Sequence, residues 1–175
     1  LYQKGLTLYN DEQYSNAIIC FDKVTQYDDL HYLSFYHKAQ SLSKIGDYMI
    51  ALSCYDQGLS INDKHLDSLF GKETWLKKIK NFNDADKIYD EILQSTPNSF
   101  DALCHKGLLL AQLNSHTDAL TYFDKALAIN QNHFDTLLGK AISLAQLNSH
   151  TDALTYFDKA PAINQNHFDT LLGEG

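Results

Sequence analysis

Arginine is absent from this 175-residue sequence, so all 14 basic residues are lysines. The planar guanidinium fork that grips phosphate or carboxylate through two parallel hydrogen bonds is therefore missing. Acidic residues number 22, which gives a formal net charge of −8 and opposes binding to a phosphate backbone. We expect no nucleic-acid partner.

Cysteines and long apolar runs are also scarce. Cys20, Cys54 and Cys104 fit no C-x-x-C motif, and an odd number of cysteines is typical of reduced thiols in a cytoplasmic protein. No apolar run approaches the ~20 residues that span a bilayer, and no basic and then apolar leader opens the chain. We expect a cytoplasmic protein without a membrane span. A signal removed with an earlier N terminus is left open, because the sequence does not begin with Met.

The sequence contains none of the common catalytic motifs: no H-E-x-x-H, no G-x-S-x-G and no P-loop. The run of Lys77, Lys78 and Lys80 lacks the glycines that would cradle a phosphate. Cys104 and His105 are adjacent, but neighbours on a helix point about 100° apart and do not form a nucleophile–base pair. We expect no enzyme active site and no cofactor.

The strongest feature that is present is an internal duplication. Residues 110–139 return as residues 144–173 with a single difference, Leu127 becoming Pro161. A fixed 34-residue period predicts a solenoid whose units bury their faces on their neighbours. Projected along the chain, the period defines units 1–31, 32–65, 66–99, 100–133 and 134–167, with a partial helix at 168–175.

Each unit divides into two amphipathic helices. In the fourth unit, Leu103 and Leu110 lie on one face of the first helix, and Ala119 and Phe123 begin the apolar stripe of the second. Short polar links join the helices, so successive helices must pack antiparallel. Ser115 stands three residues before an Asp, as does its copy, which predicts a capping box at the start of the second helix.

The period also accounts for six of the eight histidines. Equivalent positions on stacked hairpins lie roughly 10 Å apart, too far to share one ion whose ligands each lie about 2 Å from it. We therefore expect no metal site. These histidines occupy two repeat positions: His31, His65, His133 and His167 in one, His116 and His150 in the other.

At these positions the sequence resembles the tetratricopeptide repeat family. A small residue in the first helix recurs at Gly5, Ala39, Gly107 and Ala141. The alanine of the second helix recurs at Ala17, Ala51, Ala85, Ala119 and Ala153, and the aromatic residue four positions later at Phe21, Tyr55, Tyr89, Phe123 and Phe157. The resemblance implies an all-α, right-handed superhelical solenoid of antiparallel helix-turn-helix repeats, forming a single domain over residues 1–175.

Two departures from the family pattern stand out. Where the family usually has Leu, this chain has a lysine in every unit. In the third unit Glu73 replaces the small residue of the first helix, beside Trp75, the only tryptophan. We expect this hairpin to be the most distorted, either through tolerated repacking or because a ligand sits there. The lysines are Lys4, Lys38, Lys72, Lys106 and Lys140.

The resemblance further implies protein–protein interaction through a concave groove that is lined by the first helices and binds a peptide. The positions that correspond to the family's groove are Tyr36, His37, Gln40 and Lys44; Asp67, Phe70, Thr74 and Lys78; Asp101, Cys104, His105, Leu108 and Gln112; and Asp135, Leu138, Ile142 and Gln146. The alternative is that these are ordinary, partly exposed residues.

Carboxylates recur at the start of successive first helices, as Asp67, Asp101 and Asp135. One interpretation is that each carboxylate interacts with the positive end of its own helix. The other is that together they form an acidic row that selects a basic or amide-rich segment. Two further functions are open: a spacer or end-to-end self-associating segment, and the recognition arm of an enzyme whose catalytic domain lies outside these residues.

Many members of the family hold an acidic C-terminal peptide in a clamp of Lys, Asn and Arg. The clamp is missing here, so we expect no binding of acidic chaperone-tail peptides. The matching positions carry Tyr2, Leu6, His37, Asp67 and Gly71, or, one unit later, Tyr36, Gln40, Gly71, Asp101 and His105.

Pro161 interrupts the second helix of the fifth unit. Proline offers no N–H to Phe157 and clashes with its carbonyl, at a cost of ~3 kcal/mol inside a helix. We expect this helix to kink or to end near Lys159, and Pro161→Leu to raise stability.

Overall fold

The computed structural model describes residues 1–160, and within them the chain is helical with no strand. The stub 168–175 and the predicted break at Pro161 lie outside the described residues. The helices are α1 Tyr2–Asn10, α2 Tyr14–Tyr27, α3 Tyr32–Ile45, α4 Tyr48–Ile61, α5 Leu66–Lys78, α6 Phe82–Ser95, α7 Phe100–Gln112, α8 His116–Ile129 and α9 Phe134–Gln146. A tenth helix, α10, occupies residues 150–160 up to the edge of the described part.

The helix starts agree with the 34-residue period. Helices α3, α5, α7 and α9 begin at Tyr32, Leu66, Phe100 and Phe134, the predicted first residues of their units. Contacts along the chain fall into two compact halves, an N-terminal half that ends at Ile88 and a C-terminal half that begins at Tyr89, within α6.

The turn inside each hairpin has one recurring geometry. The first helix ends with a residue of positive φ, and the amide of the following residue bonds back to a carbonyl five positions earlier. The Asp47 amide, for example, donates to the Leu42 carbonyl at 2.9 Å. This is the Schellman arrangement, which satisfies carbonyls that the helix end leaves free. The residues of positive φ are Glu12, Gly46, Lys80, Asn114 and Asn148.

The predicted capping box is wrong at Ser115. This serine occupies the N-cap position of α8, but its side chain accepts no hydrogen bond from the helix. The Ser115 amide is instead used by the turn, donating to the Leu110 carbonyl at 2.8 Å. Backbone bonds therefore fix the start of the second helix.

Small residues permit the close approach of helices. In the C-terminal half, Phe123 is fully buried between α7 and α9. A Cβ on Gly107 would lie 2.7 Å from the Phe123 Cδ1, and one on Gly139 would lie 2.7 Å from its Cζ. One aromatic ring thus fills both its own hairpin and the gap to the next helix, and Ala119, also fully buried, packs in the same layer.

The recurring lysines form ion pairs with aspartates 16 residues earlier. The Lys72 Nζ lies 2.7 Å from Asp56, and the Lys106 Nζ lies 2.5 Å from Asp90. In each pair the lysine is more buried than the aspartate, so the lysine stem packs between helices while its charge reaches the surface. The four pairs are Lys38–Asp22, Lys72–Asp56, Lys106–Asp90 and Lys140–Asp124.

The expected distortion of the third hairpin is not observed in its first helix. Helix α5 runs unbroken for 13 residues, as long as α7 and α9. Glu73 is only 2% exposed, yet its carboxylate bonds to the Lys77 Nζ at 2.8 Å, one helical turn later. A paired charge can replace a small residue here without breaking the helix.

Candidate functional site

In the N-terminal half, the first helix α3 packs between the first helices α1 and α5 and contacts both. His37 of α3 lies at the centre of an aromatic cluster. Its ring is stacked on Phe21 at 5.8 Å and contacts Tyr36 at 4.8 Å, Tyr2 at 5.8 Å and Tyr9 at 6.4 Å, all between ring centroids. Burial lowers the pKa of His37, and its buried Nδ1 has no hydrogen-bond partner. The imidazole therefore behaves as a neutral aromatic ring in this cluster.

Tyr36 lies at the edge of this cluster. Its Oη accepts a hydrogen bond from the Gln40 Nε2 at 2.6 Å. Burial, with a smaller effect from the Asp67 carboxylate, raises the pKa of Tyr36 to about 12. The phenol is therefore neutral at physiological pH and presents a polar edge beside the carboxylate of the next first helix.

The remaining predicted groove residues of the N-terminal half lie on α3 and α5. Asp67, Thr74, Lys44 and Lys78 are exposed, while Phe70 is half-buried. The Thr74 Oγ1 is held by the Phe70 carbonyl at 2.9 Å. The surface formed by these helices therefore combines aromatic faces, one carboxylate and two lysines at the far end.

The first helices of the C-terminal half present a less aromatic surface. Helices α7 and α9 contact each other, and no aromatic residue stands at the predicted positions. Leu108 is half-buried and would lie 3.0 Å from a Cβ on Gly139, whereas Ile142 is 43% exposed. The other predicted residues there are the exposed Asp101, His105, Gln112, Asp135 and Gln146 and the half-buried Leu138.

Cys104 does not belong to an open surface. Its thiol is 2% exposed and accepts a hydrogen bond from the Thr136 Oγ1 at 3.1 Å. Burial raises the pKa of the Cys104 thiol, which disfavours the nucleophilic thiolate. The nearest imidazole is that of His133, with its Nδ1 3.9 Å from the Cys104 Sγ. We remove Cys104 from the groove and assign it to the core between α7 and α9.

Two of the histidines that precede first helices, His31 and His133, act as helix caps. The Nδ1 of His31 accepts the Ser34 amide at 3.2 Å, and that of His133 accepts the Thr136 amide at 3.4 Å. His65 makes the related contact with the Ser68 Oγ, at 2.7 Å. Residue type gave no signal for this role, because Ser, Thr, Asp and Asn are the usual caps. Within residues 1–160, no three His, Cys, Asp or Glu side chains gather as metal ligands.

Sequence reasoning missed two members of the aromatic cluster, Tyr9 and Phe21, as neighbours of the groove. The available signal was the richness of the first unit in tyrosine, but the convergence of α1, α2 and α3 on His37 requires the packed fold. In the described part of the chain, none of the helices is both long and apolar enough to cross a bilayer.

The geometry defines a class: an all-α solenoid built from antiparallel helix pairs of one 34-residue repeat. Two family profiles for the tetratricopeptide repeat match the chain, at residues 78–134 and 1–29. The chain therefore contains tetratricopeptide repeats, which confirms the predicted resemblance and the all-α solenoid fold. Proteins of this repeat are typically non-enzymatic interaction scaffolds.

Solved structures with the same fold include MamA, YrrB and a MamA fragment from Desulfovibrio magneticus RS-1. The MamA structure has a TM-score of 0.87 at 14% identity, covering 94% of this chain and 96% of that one. The D. magneticus fragment has a TM-score of 0.84 at 17% identity, covering 95% and 94%. YrrB, described as having an unusual peptide-binding site, has a TM-score of 0.81 at 19% identity, covering 99% and 89%. A comparison with curated protein sequences gives no match.

Proposed function

We propose that this chain binds a peptide segment of another protein along its first helices, and that the segment is basic or amide-rich. The observation that carries the proposal is the exposure of Asp101 and Asp135, on the adjacent first helices α7 and α9. Asp67 is exposed at the same repeat position of α5. Each lies in the first turn of its helix. Carboxylates repeated at one position of the repeat favour a ligand with regularly placed cations or amide donors.

Apolar contacts supplement these charges. In the N-terminal half, the partly exposed Tyr2, Tyr9 and Tyr36 offer ring faces and edges that suit both aliphatic stems and cations. In the C-terminal half, Ile142 offers an aliphatic contact. YrrB, which shares the fold, is described as having a peptide-binding site, in keeping with a peptide ligand for this chain.

The double variant Asp101→Asn with Asp135→Asn tests the acidic row. We expect a peptide rich in Lys and Gln to bind the first helices of the unaltered chain, and an equally long Glu-rich peptide without apolar residues not to bind them. In the double variant the affinity should fall roughly tenfold, and its dependence on salt between about 50 and about 200 mM should weaken. Acidic chaperone-tail peptides should not bind the groove.

Asp118→Asn is the matched control, because Asp118 is also exposed and in a first turn, but on the second helix α8. It should leave the titration unchanged. If the double variant retains both affinity and salt dependence, the aspartates only support their own helices and the acidic row has no part in recognition.

A further inference from the structure

The turn of the second hairpin carries apolar side chains where its equivalents are polar. Met49 is 70% exposed and Ile50 is 53% exposed, both in the first turn of α4. One repeat earlier these positions are Ser15 and Asn16. The later repeats carry Asn83 and Asp84, Thr117 and Asp118, and Thr151 and Asp152.

An exposed Ile50 in place of an acidic or amide side chain runs against local stability. A carboxylate in the first turn of a helix interacts favourably with the positive end of the helix, and an exposed aliphatic side chain gives no such interaction. Adjacent exposed residues, Ile45 at 44% and Tyr48 at 39%, extend the apolar area. Clustered exposed apolar residues mark interaction surfaces, whereas single ones do not.

A stacked arrangement joins this turn to α5. The Tyr48 and Trp75 rings lie parallel, with 4.1 Å between their centroids. The Lys78 Nζ lies 4.4 Å from the Trp75 centroid and 5.6 Å from that of Tyr48. The patch therefore consists of Ile45, Tyr48, Met49 and Ile50 beside the cation of Lys78, which we call the turn-edge patch.

Two exposed lysines flank the turn-edge patch, although the chain has a net charge of −8. Lys44 directly precedes Ile45 in the chain, and Lys78 contacts the Tyr48 ring. One exposed carboxylate, that of Asp47, lies between Ile45 and Tyr48 in the sequence. At the equivalent positions of α7 and α9 the two lysines are replaced by the uncharged Gln112 and Gln146, so the lysines coincide with the apolar departure from the repeat.

We infer that the turn-edge patch docks an acidic amphipathic segment of another protein, with its apolar side chains on Met49 and Ile50 and its carboxylates on Lys44 and Lys78. Apolar residues at helical spacing flanked by carboxylates complement such a surface. The patch uses none of the aspartates proposed for the groove, and its apolar residues are not groove positions, although Lys44 and Lys78 are. Substitution of Met49 and Ile50 therefore tests this inference separately from groove binding.

The fluorescence of Trp75 reports on binding, because it is the only tryptophan and lies between Tyr48 and Lys78. The probe is a synthetic amphipathic peptide with Leu and Phe at helical spacing and Glu at the other positions. We expect it to change the emission of Trp75 with a dissociation constant below about 1 mM. A counterpart with Lys in place of every Glu should bind at least tenfold more weakly.

Met49→Thr with Ile50→Asp removes the apolar part of the patch by installing the residues that the fourth unit carries at these positions, Thr117 and Asp118. The fold accepts them there, so the variant should fold, and affinity for the Glu peptide should fall at least tenfold. Ile129→Thr, at a 49% exposed site on α8, is the matched control and should bind normally.

Three results would overturn the inference: no response to the Glu peptide up to about 1 mM, equal affinity for the Lys peptide, or unchanged affinity in the double variant. Sedimentation of the peptide-free chain covers the remaining occupant. Self-association that disappears in the double variant would assign the patch to a second copy and contradict an acidic partner.

Discussion

Phe123 shows how single residues set the spacing of this repeat. Its ring is fully buried against Gly107 and Gly139, where an added Cβ would lie 2.7 Å from ring atoms. The aromatic residue of the second helix and the small residues of the first are therefore one packing unit. The sequence predicted this pairing because both positions recur every 34 residues, although the ring's contact with two first helices became visible only in the packed structure.

Gly107→Ala tests this contact. Overpacking typically costs ~1–3 kcal/mol, more than the ~1 kcal/mol that Ala gains over Gly in a helix. We expect a net loss of about 1 kcal/mol of unfolding free energy in chemical denaturation. Gly58→Ala in α4 is the control, because a Cβ there would meet its nearest atoms only at 3.4 Å. Equal stability changes in the two variants would show that Phe123 does not limit helix approach.

His37 gives the fold a dependence on pH. Burial holds its pKa below the ordinary 6.5, so the folded state binds fewer protons than the unfolded chain as the pH falls through 6.5. Above that pH, His37 titration leaves the free energy of unfolding unchanged. Below it, the free energy of unfolding falls, and the loss levels off once the pH is below the pKa of His37 in the folded state.

Denaturant unfolding between pH 7.5 and pH 5.5 should show this loss of stability, reduced in His37→Phe, which keeps a ring in the aromatic cluster but cannot titrate. All other histidines are present in both proteins, so the difference between the two profiles reports on His37. A variant with the same pH profile as the unaltered chain would mean that His37 is protonated as readily when folded as when unfolded.

At the scale of elements, the hairpin turn is the most regular feature of the chain. Residues of positive φ recur at 34-residue steps, yet only Gly46, Asn114 and Asn148 are types that favour this conformation. Glu12 and Lys80 adopt it because the Schellman bonds and the packed helices on both sides impose it. Residue type therefore predicted three of these turns, and only the period predicted the other two.

Lys80→Gly should stabilise the protein. A side chain in the left-handed region costs roughly 1–2 kcal/mol, which exceeds the ~0.5–1 kcal/mol of extra entropy that Gly loses on folding. We expect the unfolding free energy to rise by about 0.5–1 kcal/mol, measured by denaturation. Gly46→Ala is the reciprocal variant, at φ +93°, and should lower it. A fall in stability for Lys80→Gly would mean that the lysine makes compensating contacts in the turn.

The ion pairs between helices could not be predicted from the sequence. The lysines were visible as a departure from the family, and each aspartate stands 16 residues earlier, but only packed helices bring the Lys72 Nζ within 2.7 Å of Asp56. The stack of Tyr48, Trp75 and Lys78 is a similar case, since its members come from two hairpins. Local periodicity predicts helices and their buried faces, whereas side-chain partners across hairpins follow from tertiary packing.

At the scale of the whole molecule, two features set the expected partners: a net charge of −8 without arginine, and an exposed aspartate in the first turn of each of α5, α7 and α9. The family was predictable because its small and aromatic positions recur in register. The binding surface was less so: Cys104 proved buried, and Tyr9 and Phe21 joined the aromatic cluster. The central claim is that a basic or amide-rich segment binds along the first helices.

Backbone NMR spectra of the labelled chain, recorded with and without the Lys- and Gln-rich peptide, test that claim most directly. The account predicts that shifted amides concentrate in the first helices α3, α5, α7 and α9, above all near Tyr36, Asp67, Asp101 and Asp135. The amides of α2, α4 and α8 should change little. Shifts confined to those second helices, or equal shifts with the Glu-rich peptide, would contradict the account.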